Sequence, residues 1–215
     1  MKKIVLSALV AATFLGSSAF VAAPGNSANA TRVEKAAAKT YKVQPQLSTL
    51  GWEGKAVTHG HSGTAQFSDG ELMVNGNQLV GGTVTVDMKT VKTTDIKDAD
   101  SNAKFMGHIN SDDFFSTAKF PTATFKITKV AYIKGAAADA NNANITGDLT
   151  IKGKTNTITF PAKVGVKNGV AAASGTATVD RTKYDIKYGS KSFFEGIGDK
   201  AIYDDFTLSF NVIAK

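Results

Sequence analysis

No cysteine occurs among the 215 residues, and that absence removes several kinds of protein at once. There can be no disulfide, no thiol nucleophile, no cysteine-ligated metal and no lipid-modified cysteine anchor. The chain also lacks an apolar run of membrane-spanning length. Its apolar stretch Ile4 to Leu15 is too short for a helix to cross a bilayer. That stretch follows the basic Met1-Lys2-Lys3 and precedes small residues, with A-x-A-like sites at Ser17-Ser18-Ala19 and Ala28-Asn29-Ala30, which is the arrangement of a signal peptide. Residues 1–30 are therefore expected to be a leader cut after Ala30 or Ala19, and 31–40 a tether. Residues 41–215 are expected to form one exported domain, periplasmic or secreted and soluble after export.

Strong charge of one sign is missing too. The formal balance of +7 falls by two without Lys2 and Lys3, and the remaining lysines and arginines are scattered along the chain. A bunched basic patch is what nucleic acid would require, so it is not an expected partner. Attraction to anionic head groups or cell-wall polymers, and with it peripheral contact with a membrane surface, stays in view. Neither an internal repeat nor a second domain is legible, and about 175 residues suit one domain with a sizeable core.

What is present from Tyr41 onward is period-two alternation. In Gly82-Thr83-Val84-Thr85-Val86-Asp87-Met88 the residues Val84, Val86 and Met88 share one face of a strand, and Thr83, Thr85 and Asp87 share the other. Phe125 with Ile127, Leu149 with Ile151, Ile158 with Phe160, Val164 with Val166, and Leu208 with Phe210 and Val212 repeat the pattern. Turn signals separate these runs at Ser68-Asp69-Gly70, Asn75-Gly76-Asn77, Gly81-Gly82, Lys152-Gly153-Lys154 and Lys167-Asn168-Gly169, the spacing of an all-β sandwich or barrel. Near Thr128 the apolar parity switches to Val130 and Tyr132, which predicts a bulge or bend. Gly135 to Asn144 reads as an exposed loop. Asp98 to Ser116 lacks alternation and is expected to hold a helical turn or two.

Catalytic signatures are weak by comparison. His59-Gly60-His61 with His108 could form a three-histidine metal site, yet no fourth ligand has a spacing signature. Asp98, Asp100 and Asn102 resemble the start of a calcium loop, but Ala103 stands where the glycine belongs and Ile109 where the bidentate glutamate belongs. No Gly-x-Ser-x-Gly elbow occurs. Asp112-Asp113 and Asp204-Asp205 are adjacent, so their side chains diverge in extended backbone and make no acid/base pair. Ser111 or Asp112 reads as a cap before Phe114-Phe115. The aromatics are more informative: Phe105, Phe114, Phe115, Phe120 and Phe125 cluster, with Trp52, Tyr184, Tyr188, Phe193 and Phe194 elsewhere. Core packing accounts for any one of them. About eight antiparallel strands closing on themselves leave an interior that either side chains or one small ligand can fill.

Four segments carry a resemblance: Gly107-His108-Ile109-Asn110-Ser111-Asp112-Asp113-Phe114-Phe115 with Lys119-Phe120-Pro121-Thr122-Ala123-Thr124-Phe125, Gly147-Asp148-Leu149-Thr150-Ile151-Lys152-Gly153-Lys154-Thr155, Arg181 with Tyr184-Asp185-Ile186, and Tyr41-Lys42-Val43 with Ser48. In this order they resemble the YceI-like family of exported bacterial proteins, over nearly everything after residue 40. The resemblance implies a lipocalin-like antiparallel barrel and, as in some members, a polyisoprenoid chain held in the central cavity. The chain departs from the family pattern in the first hairpin, where Trp52 to Gly63 is shortened.

The expected fold is thus all-β, an antiparallel lipocalin-like barrel of about eight strands with one or two short helical segments. The expected role is binding an amphiphilic, isoprenoid-like long-chain lipid for transport, storage or sequestration, with no catalysis, cofactor or metal. A homodimer is a further candidate assembly. Expected lumen residues are Trp52, Val84, Val86, Met88, Phe125, Ile127, Leu149, Ile151, Phe160 and Phe210, with His61, His108, Arg181 and Tyr184 at the polar end. The competing readings are a ligand-free structural or stress-related interaction module and a histidine-based metal protein.

Overall fold

The computed structural model describes residues 37–215. The expected leader and the first residues of the expected tether lie outside the described residues. The described chain folds into β1 (Lys39–Lys42), β2 (Thr49–Ala56), β3 (Gly60–Asn75), β4 (Gln78–Thr93), α1 (Ala99–Asn110), β5 (Thr122–Tyr132), β6 (Ala143–Ile151), β7 (Lys154–Lys167), β8 (Val170–Asp180) and β9 (Ile202–Ala214). All neighbouring strands are antiparallel. Their order is β1-β3-β2-β9-β8-β7-β6-β5-β4, and β4 pairs back onto β3, so the sheet closes.

Nine strands make eight barrel positions. β1 pairs with Glu71–Val74 of β3 while β2 pairs with Gly60–Ala65 of the same strand. Val43, just past β1, bridges to Ala214, and the Lys42 amide donates to the Lys215 carbonyl at 2.7 Å. β1 and β2 are thus one staircase interrupted by a short 3-10 turn, Pro45–Leu47. The Ser48 hydroxyl closes the break, donating to Gln44 O at 2.8 Å and accepting from the Ile213 amide at 3.0 Å.

The turn chemistry divides in two. Asn75-Gly76-Asn77 joins β3 to β4, and at Lys152-Gly153 and Asn168-Gly169 both residues have positive φ, the pair of left-handed conformations that matches the twist of a tight hairpin. Ser68-Asp69-Gly70 and Gly81-Gly82, expected as turns, lie inside β3 and β4 instead. Register shifts fall between Phe67 and Asp69 and between Met73 and Val74, so these residues are bulges that bend two long strands around the barrel. The inward set accordingly changes parity, from Ala65 and Phe67 to Leu72 and Val74. At Gly82 a Cβ would stand 2.4 Å from the Glu71 carbonyl, a close approach only glycine permits. The bulge expected near Thr128 is present, between Ile127 and Lys129.

The stretch without alternation forms a full helix, longer than a turn or two. Asp98 caps α1 by accepting from the Ser101 amide at 2.9 Å. Asn102, Phe105, Met106 and Ile109 form its inward stripe, at the spacing of one helix face. This helix, the loop 111–121 and the loop 185–201 all sit at one end of the barrel, the end reached by the last residues of β2, β4, β6 and β8. The other end is packed by Tyr41, Val43, Leu72, Val74, Leu79 and Ile145, with Ala143, Ala162, Ala171 and Ala214 between them.

Candidate functional site: the barrel lumen and its mouth

A cavity of about 370 Å³ runs down the barrel axis from the helix-bearing end, within the usual size range of small-molecule pockets. Its wall is made by the inward residues of all eight barrel positions, which are apolar because alternation puts the threonines and lysines outside. Val84, Val86, Met88, Ile127, Leu149 and Ile151 line it, as do the aromatic rings of Trp52, Phe125, Phe160 and Phe210.

How those rings lie explains why the barrel is hollow. Trp52 is paired with Gly63 across the sheet, and a Cβ on Gly63 would stand 2.5 Å from the indole. Phe125 covers Gly147, where a Cβ would be 2.4 Å from Cζ, and Phe210 covers Gly175, with 3.1 Å to its Cζ. Each ring is laid against the wall over a strand glycine, so its bulk is taken up in the sheet and the axis stays open. Phe160 then meets Phe125 in a tilted contact and Phe210 edge to face, with centroids 5.4 and 5.3 Å apart, and the three rings make a belt in the lumen. Leu72 and Ile145 of the closed end also line the cavity, and that end is filled by large apolar side chains with alanines between them.

The mouth is an aromatic collar contributed by the β2–β3 hairpin, α1 and the loops 111–121 and 185–201. Phe105 of α1 stacks at 6.3 Å on Trp52 and meets His61 at a tilt, 4.6 Å away, and His61 lies 5.2 Å from His59. His108 lies 5.7 Å from Tyr188, and Tyr188 the same distance from Phe114. All three histidines of the chain line this end. His61 Nδ1 is 2.8 Å from Asp95 Oδ2, and His108 Nδ1 is 3.1 Å from Asp113. The Thr93 hydroxyl donates to Asp95 Oδ1 at 2.5 Å. That bond, with His61 and the Ser62 amide, holds the Asp95 carboxyl well below the ordinary carboxylate range, against the opposing effect of burial. Among the described residues no three His, Asp or Glu side chains gather as a metal-binding group, and His108 is turned to its own carboxylate and to Tyr188.

Of the four residues expected at the polar end, His61, His108 and Arg181 line the cavity. Arg181 is nonetheless a structural clamp: its guanidinium donates to the carbonyls of Tyr203 (3.0 Å), Ile186 (2.8 Å) and Ile202 (3.0 Å), and lies 3.6 Å from Asp204. Burial lowers its pKa, while Asp204 and Asp180 favour the charge. Tyr184 is placed differently from expectation. It packs among Leu149, Ile151 and Val179, does not reach the cavity, and keeps a buried hydroxyl without a partner. Burial, aided by Asp180, pushes that phenol up to about 12. Sequence reasoning passed over Phe206, Leu50 and Ile202 as cavity residues, and it left Phe105, Phe114, Phe115 and Tyr188 without a place. Phe105 was detectable, since it shares the i, i+4 spacing with Ile109. Tyr188 was not, because it is presented by an irregular loop.

The comparisons with known proteins agree with this architecture. The YceI-like domain matches residues 41–214. Protein YceI of Escherichia coli O157:H7 is 41% identical over 76 residues, 35% of each chain. A UPF0312 protein of Pseudomonas paraeruginosa is 34% identical over 110 residues, 48% of this chain and 51% of that one. These alignments span about a third to a half of the curated relatives. Two solved structures share the fold: Burkholderia cenocepacia BcnA (TM-score 0.60, 23% identity, covering 80% of this chain and 99% of that one) and a polyisoprenoid binding domain from Saccharophagus degradans implicated in plant cell wall breakdown (TM-score 0.55, 15% identity, covering 81% and 97%). The matched segment is the whole closed barrel, mouth loops included, and on that ground the chain belongs to the YceI-like family.

Proposed function

We propose that this protein is an exported carrier that holds the apolar chain of an isoprenoid-like lipid in its barrel, for transport, storage or sequestration, and catalyses no reaction. The observation that carries the reading is the hollow axis, kept open by three aromatic rings seated over Gly63, Gly147 and Gly175. An apolar lumen stabilises a hydrocarbon by about 0.8 kcal/mol for each methylene removed from water. A flexible apolar chain can follow a lumen lined by the inward residues of all eight barrel positions. The imidazoles at the mouth supply hydrogen-bonding partners for a polar head group left at the opening. The polyisoprenoid binding domain from Saccharophagus degradans has the same fold and supports this choice of ligand class. The leader-like start of the sequence supports export to the periplasm or the medium.

The test is native mass spectrometry of protein purified from its own kind of host, followed by organic extraction and identification of any lipid. A stoichiometric isoprenoid is the expected result. A clean apo mass that stays unchanged after incubation with polyprenyl lipids would favour the ligand-free interaction module instead.

A further inference from the structure

Beyond the cavity, the mouth carries a surface that packing does not explain. Tyr188, Phe193, Phe194 and Tyr203 are each 45–52% exposed, and Val57 is 36% exposed beside them. They belong to two segments tied together, since the Val57 amide donates to the Ala201 carbonyl at 3.0 Å. The loop holding the two phenylalanines is not a loose excursion. Ser190 is fully buried, the Phe193 and Phe194 amides donate to its carbonyl, and the Ser192 hydroxyl donates to Asp204 Oδ2 at 2.5 Å. The rings are therefore presented outward by an ordered scaffold, at a cost in exposed apolar area that soluble surfaces ordinarily avoid.

Two features say what covers them. Tyr188 and Tyr203 are at once exposed and part of the cavity wall, so the apolar surface is continuous from the lumen to the outside of the rim. The loop also interleaves its aromatics with lysines: Lys187 precedes Tyr188 and places Nζ 4.9 Å from the Phe193 ring, and Lys191 precedes Phe193 by two residues. Aromatic rings flanked by lysine are the side chains that settle at the head-group level of a bilayer. Glu195 and Asp199 lie in the same loop, so the net charge there is small and the apolar contribution dominates.

We infer that the rim formed by Tyr188, Phe193, Phe194, Tyr203 and Val57 docks on a lipid bilayer, setting the mouth of the barrel against the membrane so that a lipid enters or leaves without crossing water. The inference rests on the lipid-carrier reading for its purpose but not for its observation. It is tested by flotation of the full-length protein with phosphatidylcholine vesicles, with and without phosphatidylglycerol, beside a Phe193→Gln/Phe194→Gln variant whose thermal unfolding is measured in parallel. The wild type is expected to float with both vesicle types, more with the anionic one, and the variant's affinity to fall at least about tenfold without a change in unfolding.

A second assay separates the two ideas. Polyprenyl lipid is offered either in the vesicles or from a small volume of ethanol, and uptake is followed by native mass spectrometry. Slower pickup by the variant from vesicles, with equal final loading from ethanol, supports the docking rim. Vesicle binding that requires the phenylalanines in a protein that loads no lipid would keep the rim and sink the carrier. Loading without vesicle binding, at equal rates in both proteins, would overturn the rim, as would rings that sediment the protein with a second copy of itself and not with vesicles.

Discussion

The two ends of this barrel are built from the same alternating strands and hold together by different means. At the closed end Tyr41, Leu72, Val74, Leu79 and Ile145 are packed among alanines at Ala143, Ala162, Ala171 and Ala214, all essentially removed from solvent. At the mouth the inward residues are aromatic, partly exposed and stacked in a collar, and the loops are held by polar groups, chiefly Arg181 and Asp95. The contrast teaches that apolar alternation alone specifies a wall, not an interior. Whether the interior is solid depends on where small and large side chains meet at one height of the barrel.

Removing the mouth's clamp should have the largest effect. Arg181→Met leaves three carbonyls without their guanidinium donor and the Asp204 carboxylate without its neighbouring cation, an expected loss of about 3–5 kcal/mol, read from urea unfolding. Amide exchange should rise first in the loop 185–201, and uniform exchange across the barrel would contradict a local clamp. At the closed end Ile145→Ala should cost about 3 kcal/mol, in the middle of the range for such truncations, with m-value and mouth exchange unchanged.

Smaller effects sharpen the boundary between wall and lumen. Gly147→Ala puts a Cβ 2.4 Å from the Phe125 ring and 2.5 Å from the Lys126 carbonyl, so the ring must swing toward the axis. The expected cost is about 1–3 kcal/mol, together with reduced uptake of an apolar fluorescent probe. Unaltered uptake would show that the ring does not gate the space. The smallest change concerns acid. Because the folded Asp95 carboxyl lies below its ordinary value of 3.8, its carboxylate adds stability that is complete above that value and is lost as the pH falls into the acid range. Wild type and Asp95→Asn should differ in thermal midpoint above about pH 4 and converge below it. A gap constant with pH would mean that the carboxylate charge is not what stabilises the mouth.

Much of this was legible beforehand because a strand's side chains alternate faces with no need of long-range information. Nine of the ten expected lumen positions, Val84 to Phe210, follow from parity, Trp52 from its place in the first hairpin, and all ten line the cavity. Parity also located the Thr128 bulge, since a bulge changes which residues point inward. It could not tell a bulge from a turn at Ser68-Asp69-Gly70 and Gly81-Gly82, where glycine and polar residues serve either purpose. Nor did composition say which aromatics belonged to the collar, because Phe105, Phe114 and Tyr188 reach it from a helix and loops whose docking is set by the rest of the barrel.

The sequence by itself determined the strand faces, the tight hairpins and the absence of any thiol or disulfide, since each is read from residue types or from residues within a few positions of one another. Only the tertiary structure decided that the barrel is open at one end and solid at the other. That outcome depends on register: it sets Trp52 over Gly63, Phe125 over Gly147 and Phe210 over Gly175, contacts across neighbouring strands between residues 11, 22 and 35 positions apart, which local alternation does not specify.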